Sequence, residues 1–126
     1  MVLRIGRPYR ADKGRQFRQC RRVVEPLVHD TPLTTTHPVV AQVWRDGTRQ
    51  ARLARFLRSV VVLALDDGPE VGHLLARSGT TDVVDAHLVI VAVRRSEPIL
   101  TAEMHDLESL TAALPERRPN LLHRRW

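Results

Sequence analysis

Cysteine is nearly absent from this chain. Cys20 is the single example among 126 residues, so no internal disulfide can staple the fold. That suits a reducing compartment, and a cytoplasmic protein is the expectation. Aromatic residues are scarce as well, at 4%. A core must therefore be assembled from Val, Leu, Ile and Ala. No apolar run is long enough to cross a bilayer, since the longest lie around residues 59–65 and 83–93. The opening MVLRIGRPYR lacks the apolar centre of a secretion signal, so neither membrane insertion nor export is expected. The sequence contains no P-loop, no GxGxxG, no HExxH and no GxSxG. Cys20 sits among arginines, which favour a thiolate, but no histidine partner is in view for a nucleophile.

Acids are also short in the first half. Residues 1–60 hold 13 Lys/Arg against 4 Asp/Glu, net +9, whereas residues 61–126 hold 7 against 10, net −3. A basic half suits a polyanion such as RNA or DNA, and an acidic half can hold a cation. Solvated faces and a compositional bias toward Arg explain the same split without either. What is present is enough to fold. The length suits one domain, and 43% hydrophobic residues can make a core.

Residues 1–36 show no clean period, apart from short strand-like pieces near Val23–Val24 and Pro32–Thr36. From His37 the pattern sharpens. HPVVAQVWRD predicts a helix with Pro38 in its first turn and an apolar stripe of Val39, Val40, Val43 and Trp44. Asp46-Gly47 should end it, and Thr48 should cap a second helix over TRQARLARFLRS. There Arg49, Arg52, Arg55 and Arg58 recur every third residue, either as a phosphate-binding stripe or as a solvated face. VVVLAL, residues 60–65, predicts a strand buried on both faces. A turn at 66–70 leads to a helix over VGHLLARSG, and a second helix follows. EPILTAE predicts a strand, DLESLTAAL a helix, and NLLHRRW a last edge strand. This alternation implies an α/β fold around a parallel sheet.

GTTDVVDAHLVIVAV, residues 79–93, is almost wholly apolar yet carries Asp82 and Asp85 near its start. A helix beginning near Thr80 or Thr81, capped by either hydroxyl, puts Asp82 in the first turn, facing the positive end of the dipole. Asp85 lies three residues on, on roughly the same side and deeper. A carboxylate entering a buried helix requires a partner or a metal. Glu103 follows the strand Ile99–Leu100, where ligands gather in parallel α/β sheets, and Asp106 is a candidate cap of the next helix. Asp82, Asp85, Glu103 and Asp106 can thus share one rim. Such an oxygen-only set favours Mg²⁺ or Mn²⁺, which activate water against phosphodiesters. His87 and His105 lie nearby and are expected to be ordinary core or surface residues.

Three blocks, HPVVAQVWRDGTRQARLARFL, SGTTDVVDAHLVIVAV and ILTAEMHDLESL, resemble a PIN-domain protein of the VapC toxin type. The resemblance spans about residues 32–126 and leaves 1–31 as a divergent basic segment. It implies a PIN-like three-layer α/β domain with a central parallel sheet. It further implies a Mg²⁺- or Mn²⁺-dependent endoribonuclease of the toxin–antitoxin kind, neutralised by a small antitoxin and often dimeric. Asp85 matches the acid of the late helix, and Asp82 an additional acid of this subgroup. Glu103 stands where Asp is usual, and Gln42 where many relatives carry Glu. Asp85, Glu103 and Asp82 would bind the ion, with Gln42 and Asp106 accessory, while Arg45, Arg49, Arg52 and Arg55 would hold RNA. Family members begin with an apolar strand ending in a metal-binding Asp. Nothing in MVLRIGRPYRADKGRQFRQC matches that, since Asp12 is its only acid and stands in a basic, polar context, so the first strand is expected to be atypical or missing. The competing expectation is a catalytically inactive PIN-like module that binds nucleic acid or protein.

Overall fold

A computed structural model describes residues 1–5, 32–45, 50–114 and 116–123. Five short strands alternate with five helices among them. The strands are β1 (Val2–Leu3), β2 (Thr34–Thr36), β3 (Val61–Leu63), β4 (Ile99–Thr101) and β5 (Leu121–His123). The helices are α1 (His37–Val43), α2 (Ala51–Leu57), α3 (Gly68–Ser78), α4 (Val83–Arg95) and α5 (His105–Ala112). The strands form one sheet in the order β3-β2-β1-β4-β5, and every neighbouring pair is parallel. Parallel neighbours cannot be joined by a tight turn, which is why a helix intervenes between consecutive strands from β2 onward.

The first strand is present, and it is the middle one. Val2 pairs with both Thr34 and Ile99, and Leu3 pairs with Leu100. The Val2 and Arg4 amides donate to the Pro98 and Leu100 carbonyls at 2.8 and 2.9 Å. All of Met1–Ile5 is buried. The boundary expected at residue 32 therefore cuts off a piece of the core. Two residues of strand carry no readable period, and the basic stretch after them masks the apolar start. Val23–Val24, Asp12 and Cys20 lie outside the described residues, as do Asp46, Gly47 and Thr48.

The valine run is corrected in the other direction. Instead of a doubly buried strand, β3 is the sheet's edge, with Val61 49% exposed and Leu65 42% exposed. β-branched residues favour a strand without deciding its place in the sheet. The inner neighbour of β3, fully buried, is the polar TTT of β2. Two of its three hydroxyls are engaged: Thr35 Oγ1 donates to the Leu3 carbonyl at 2.8 Å and Thr36 Oγ1 accepts from the Val39 amide at 3.3 Å, whereas the buried Thr34 Oγ1 has no hydrogen-bond partner among the described residues. The second of these bonds caps α1, whose first turn holds Pro38 as expected. Gln50 fastens α1 to α2, accepting from the Arg45 amide at 2.7 Å and donating to the Val43 carbonyl at 2.8 Å.

Helix α4 is the centre of the helical packing. It touches β1, α3 and α5. Residues 85–92 of α4 are all buried, so the apolar wrap seen in the sequence is real. The core is chiefly aliphatic, with Leu3, Ile5, Leu74, Leu88, Ile99, Leu100, Leu107 and Leu110 closely covered.

Candidate functional site

The carboxyl ends of β1 and β4 and the amino end of α4 meet at one rim. Asp82 is the N-cap of α4 rather than a first-turn residue, and its Oδ1 accepts from the Asp85 amide at 3.1 Å. The threonines proposed for that role do not take it. Thr80 Oγ1 is paired with Ser78 Oγ at 2.8 Å, at the end of α3. Asp85 follows in the first turn and is completely buried. Glu103 lies just past β4, where Thr101 Oγ1 accepts from its amide at 2.9 Å, and its side chain is 46% exposed. Asp106 does not cap α5. Met104 is the cap residue, and Asp106 is an exposed member of the first turn.

Between these acids sits Arg4, which the sequence reading did not single out. Its Nε donates to Asp85 Oδ1 at 2.7 Å, with the two side chains 2% and 0% exposed. Its Nη1 donates to the Ile5 carbonyl at 3.3 Å and stands 3.6 Å from Glu103 Oε2. The backbone explains the placement. Arg4 is the residue directly after β1, so its side chain leaves the middle of the sheet at the end where α4 begins. A usable signal was present: an arginine directly behind Met-Val-Leu, at the position where the resemblance calls for an acid.

The electrostatics describe an acidic site with one internal cation. Burial pulls the Arg4 pKa down, but the hydrogen bond and charge of Asp85, then the charges of Glu103 and Asp82, outweigh it and raise it. Asp85 is pushed up from the ordinary 3.8, first by burial and also by the charges of Asp82 and Asp106, against the pull of Arg4. The two shifts point opposite ways for the ion pair, one favouring the charged partners and one opposing them. The 2.7 Å contact decides for a paired guanidinium. The upward push on Asp85 then reflects its burial first and the neighbouring charges of Asp82 and Asp106 after that.

Asp85, Glu103 and Asp82 act on the Arg4 guanidinium, and Asp82 and Asp106 act on Asp85. Gln42 is half-buried in α1; Arg45 is exposed, and its Nη1 donates to the Ala41 and Trp44 carbonyls at 3.0 and 2.7 Å. Arg52 and Arg55 are exposed on α2, and Arg49 lies outside the described residues. His105 is exposed. His87 belongs to a second charged cluster, with Nε2 3.5 Å from Asp67 Oδ1. Arg94 completes that cluster, 3.0 Å from Asp67 Oδ2 and hydrogen-bonded to Glu70.

A divalent ion does not fit the acids as they are arranged. Its best ligand, Asp85 Oδ1, is taken by a guanidinium, and a second cation beside that group would be repelled. Among the described residues, no three His, Cys, Asp or Glu side chains are gathered to hold a metal.

No protein-family model matches the chain, and no curated protein matches it. A solved structure does. A chain of VapBC2 from Rickettsia felis, crystallised bound to a DNA fragment from their promoter, superposes with a TM-score of 0.58 at 14% identity. The match covers 100% of this chain and 99% of that one. The fold is PIN-like. At that identity the likeness concerns the fold alone, and the PIN-like frame places Arg4, Asp82, Asp85 and Glu103 together at the carboxyl end of its sheet. No helix among the described residues is long and apolar enough to cross a membrane.

Proposed function

We propose that this PIN-like chain acts by binding a small antitoxin-like protein and does not hydrolyse RNA. One observation carries the catalytic half of the reading: the buried 2.7 Å pair between Arg4 and Asp85. Water activation by Mg²⁺ or Mn²⁺ needs the ion seated on the carboxylates, and Oδ1 of the deepest acid, Asp85, already holds a guanidinium of the same chain that would repel it. The binding half is supported by the similar chain, which was solved within VapBC2. The setting that goes with this reading is cytoplasmic.

A second reading has its own observation. Asp82 and Asp106 lie near enough to Asp85 to disfavour its charge, which supports a reading in which these acids serve one ion. On that reading Asp85, Glu103 and Asp82 hold Mg²⁺ or Mn²⁺, and Arg45, Arg49, Arg52 and Arg55 grip RNA. Gln42 and Asp106 would assist, and the protein could act as a homodimer.

One assay separates the two. Purified protein is incubated with a mixed structured RNA in Mg²⁺, in Mn²⁺ and in EDTA, beside Asp85→Asn. The proposal expects intact RNA in every lane. Cleavage that needs metal and disappears in Asp85→Asn would establish the nuclease instead.

A further inference from the structure

We infer that Arg4 is the built-in cation of the acidic site, standing where a divalent ion would otherwise bind and keeping such ions out. The inference rests on the same ion pair as the proposed function, but it concerns the site's occupancy rather than its activity.

Four facts carry it. Arg4 leaves the central strand directly into the acids, with Nε on Asp85 and Nη1 near Glu103. Both members of the main pair are buried, so solvent does little to screen them. The acids outnumber the cation, since Asp82, Asp85 and Glu103 all act on one guanidinium. The fourth fact is independent of the charges. Asp85 Oδ2 is buried and accepts no hydrogen bond in the described structure. A guanidinium usually grips a carboxylate with two parallel bonds. Here Nε makes one, and Nη1 is turned to the Ile5 carbonyl. The carboxylate is left with one satisfied oxygen and one orphan. A spherical ion of higher charge would have no such directional limit. The site therefore has oxygen ligands in surplus and an occupant that serves them incompletely. Removing that occupant should uncover divalent-ion binding.

Mn²⁺ binding to the purified full chain, followed by the electron paramagnetic resonance of the free ion, tests this. Four proteins are compared: wild type, Asp85→Asn, Arg4→Asp, and Arg4→Asp combined with Asp85→Asn. Wild type and Asp85→Asn should bind Mn²⁺ equally weakly. Arg4→Asp exchanges the cation for a fourth carboxylate. It should bind at least about tenfold more tightly, because affinity rises with the number of charged oxygen ligands. Asp85→Asn in that background should remove the gain. The inference is overturned if wild type binds Mn²⁺ in a way that Asp85→Asn abolishes, or if folded Arg4→Asp binds no better than wild type. Arg4→Gln guards against misfolding of the aspartate variant. It deletes the charge and keeps an N–H donor, and Mn²⁺ should raise its melting temperature while leaving that of wild type unchanged. No such rise in Arg4→Gln also overturns the inference. RNA cleavage by wild type that survives both EDTA and Asp85→Asn would end the proposed function and leave this inference standing.

Discussion

Removing Arg4 leaves Asp85 as a buried carboxylate with no cation beside it, and removing Asp85 strands a buried guanidinium. Breaking one side of such a pair costs about 3–5 kcal/mol, whereas replacing both by apolar groups of similar volume is often neutral. Arg4→Met should therefore be strongly destabilised in urea titrations, and Arg4→Met with Asp85→Leu should recover most of the loss. A double variant no better than the single one would show that the pair is not the unit of stability. His87 makes a second residue-level prediction. Burial lowers its pKa below the ordinary 6.5, opposed by Asp67 and Asp66 and helped by Arg94. The folded state thus resists protonation while the unfolded chain accepts it. Its contribution is present above pH 6.5 and is lost as pH falls below that value toward the folded pKa. Wild-type melting temperature should drop between about pH 7 and about pH 5, and His87→Leu should flatten that slope. At this scale Asp82, Asp85 and Glu103 were legible, because carboxylates are conspicuous in an apolar stretch. Arg4 was harder to see, because its one cue, a place directly behind Met-Val-Leu, is crowded by eight basic residues in the first 22.

At the scale of elements, the ends of α4 are the informative places. Asp82→Ala should cost about 1 kcal/mol through loss of the cap to the Asp85 amide, measured by chemical denaturation. The other end stops at Ser96, which adopts a left-handed conformation with φ of 52°. Glycine adopts that conformation without strain, so Ser96→Gly should stabilise the protein by up to about 1 kcal/mol. The helix before it already ends on Gly79, at φ of 68°. The helices from His37 on were readable because each presents caps, prolines or an apolar face over seven or more residues. The strands were harder. Each described strand is two or three residues long, too short for alternation to accumulate. The β-branched VVV therefore looked central and is an edge, while TTT is buried because Thr35 and Thr36 direct their hydroxyls to backbone partners. The caps of α4 and α5 were misplaced by one or two residues, since Thr80 and Asp106 are as good on paper as Asp82 and Met104 are in the fold.

For the molecule as a whole, the parallel α/β class followed from the order of elements, and the PIN-like sheet agrees with it. What sequence order could not deliver was the meeting of residue 4 with residue 85, a contact made only when β1 slots between β2 and β4. If Arg4 is the site's cation, the fold owes nothing to metal. Wild-type melting temperature should move by less than about 1 °C between EDTA and millimolar Mg²⁺, since a ligand that does not bind the native state cannot stabilise it. The most direct measurement of the central claim is the ¹⁵N–¹H spectrum of arginine Nε groups in labelled protein, with and without Mn²⁺. The account predicts one slowly exchanging Nε–H signal, absent from Arg4→Gln, shifted in Asp85→Asn, and unbroadened by Mn²⁺. An Arg4 signal that exchanges like those of the exposed arginines, or one that Mn²⁺ erases in wild type but not in Asp85→Asn, would contradict it.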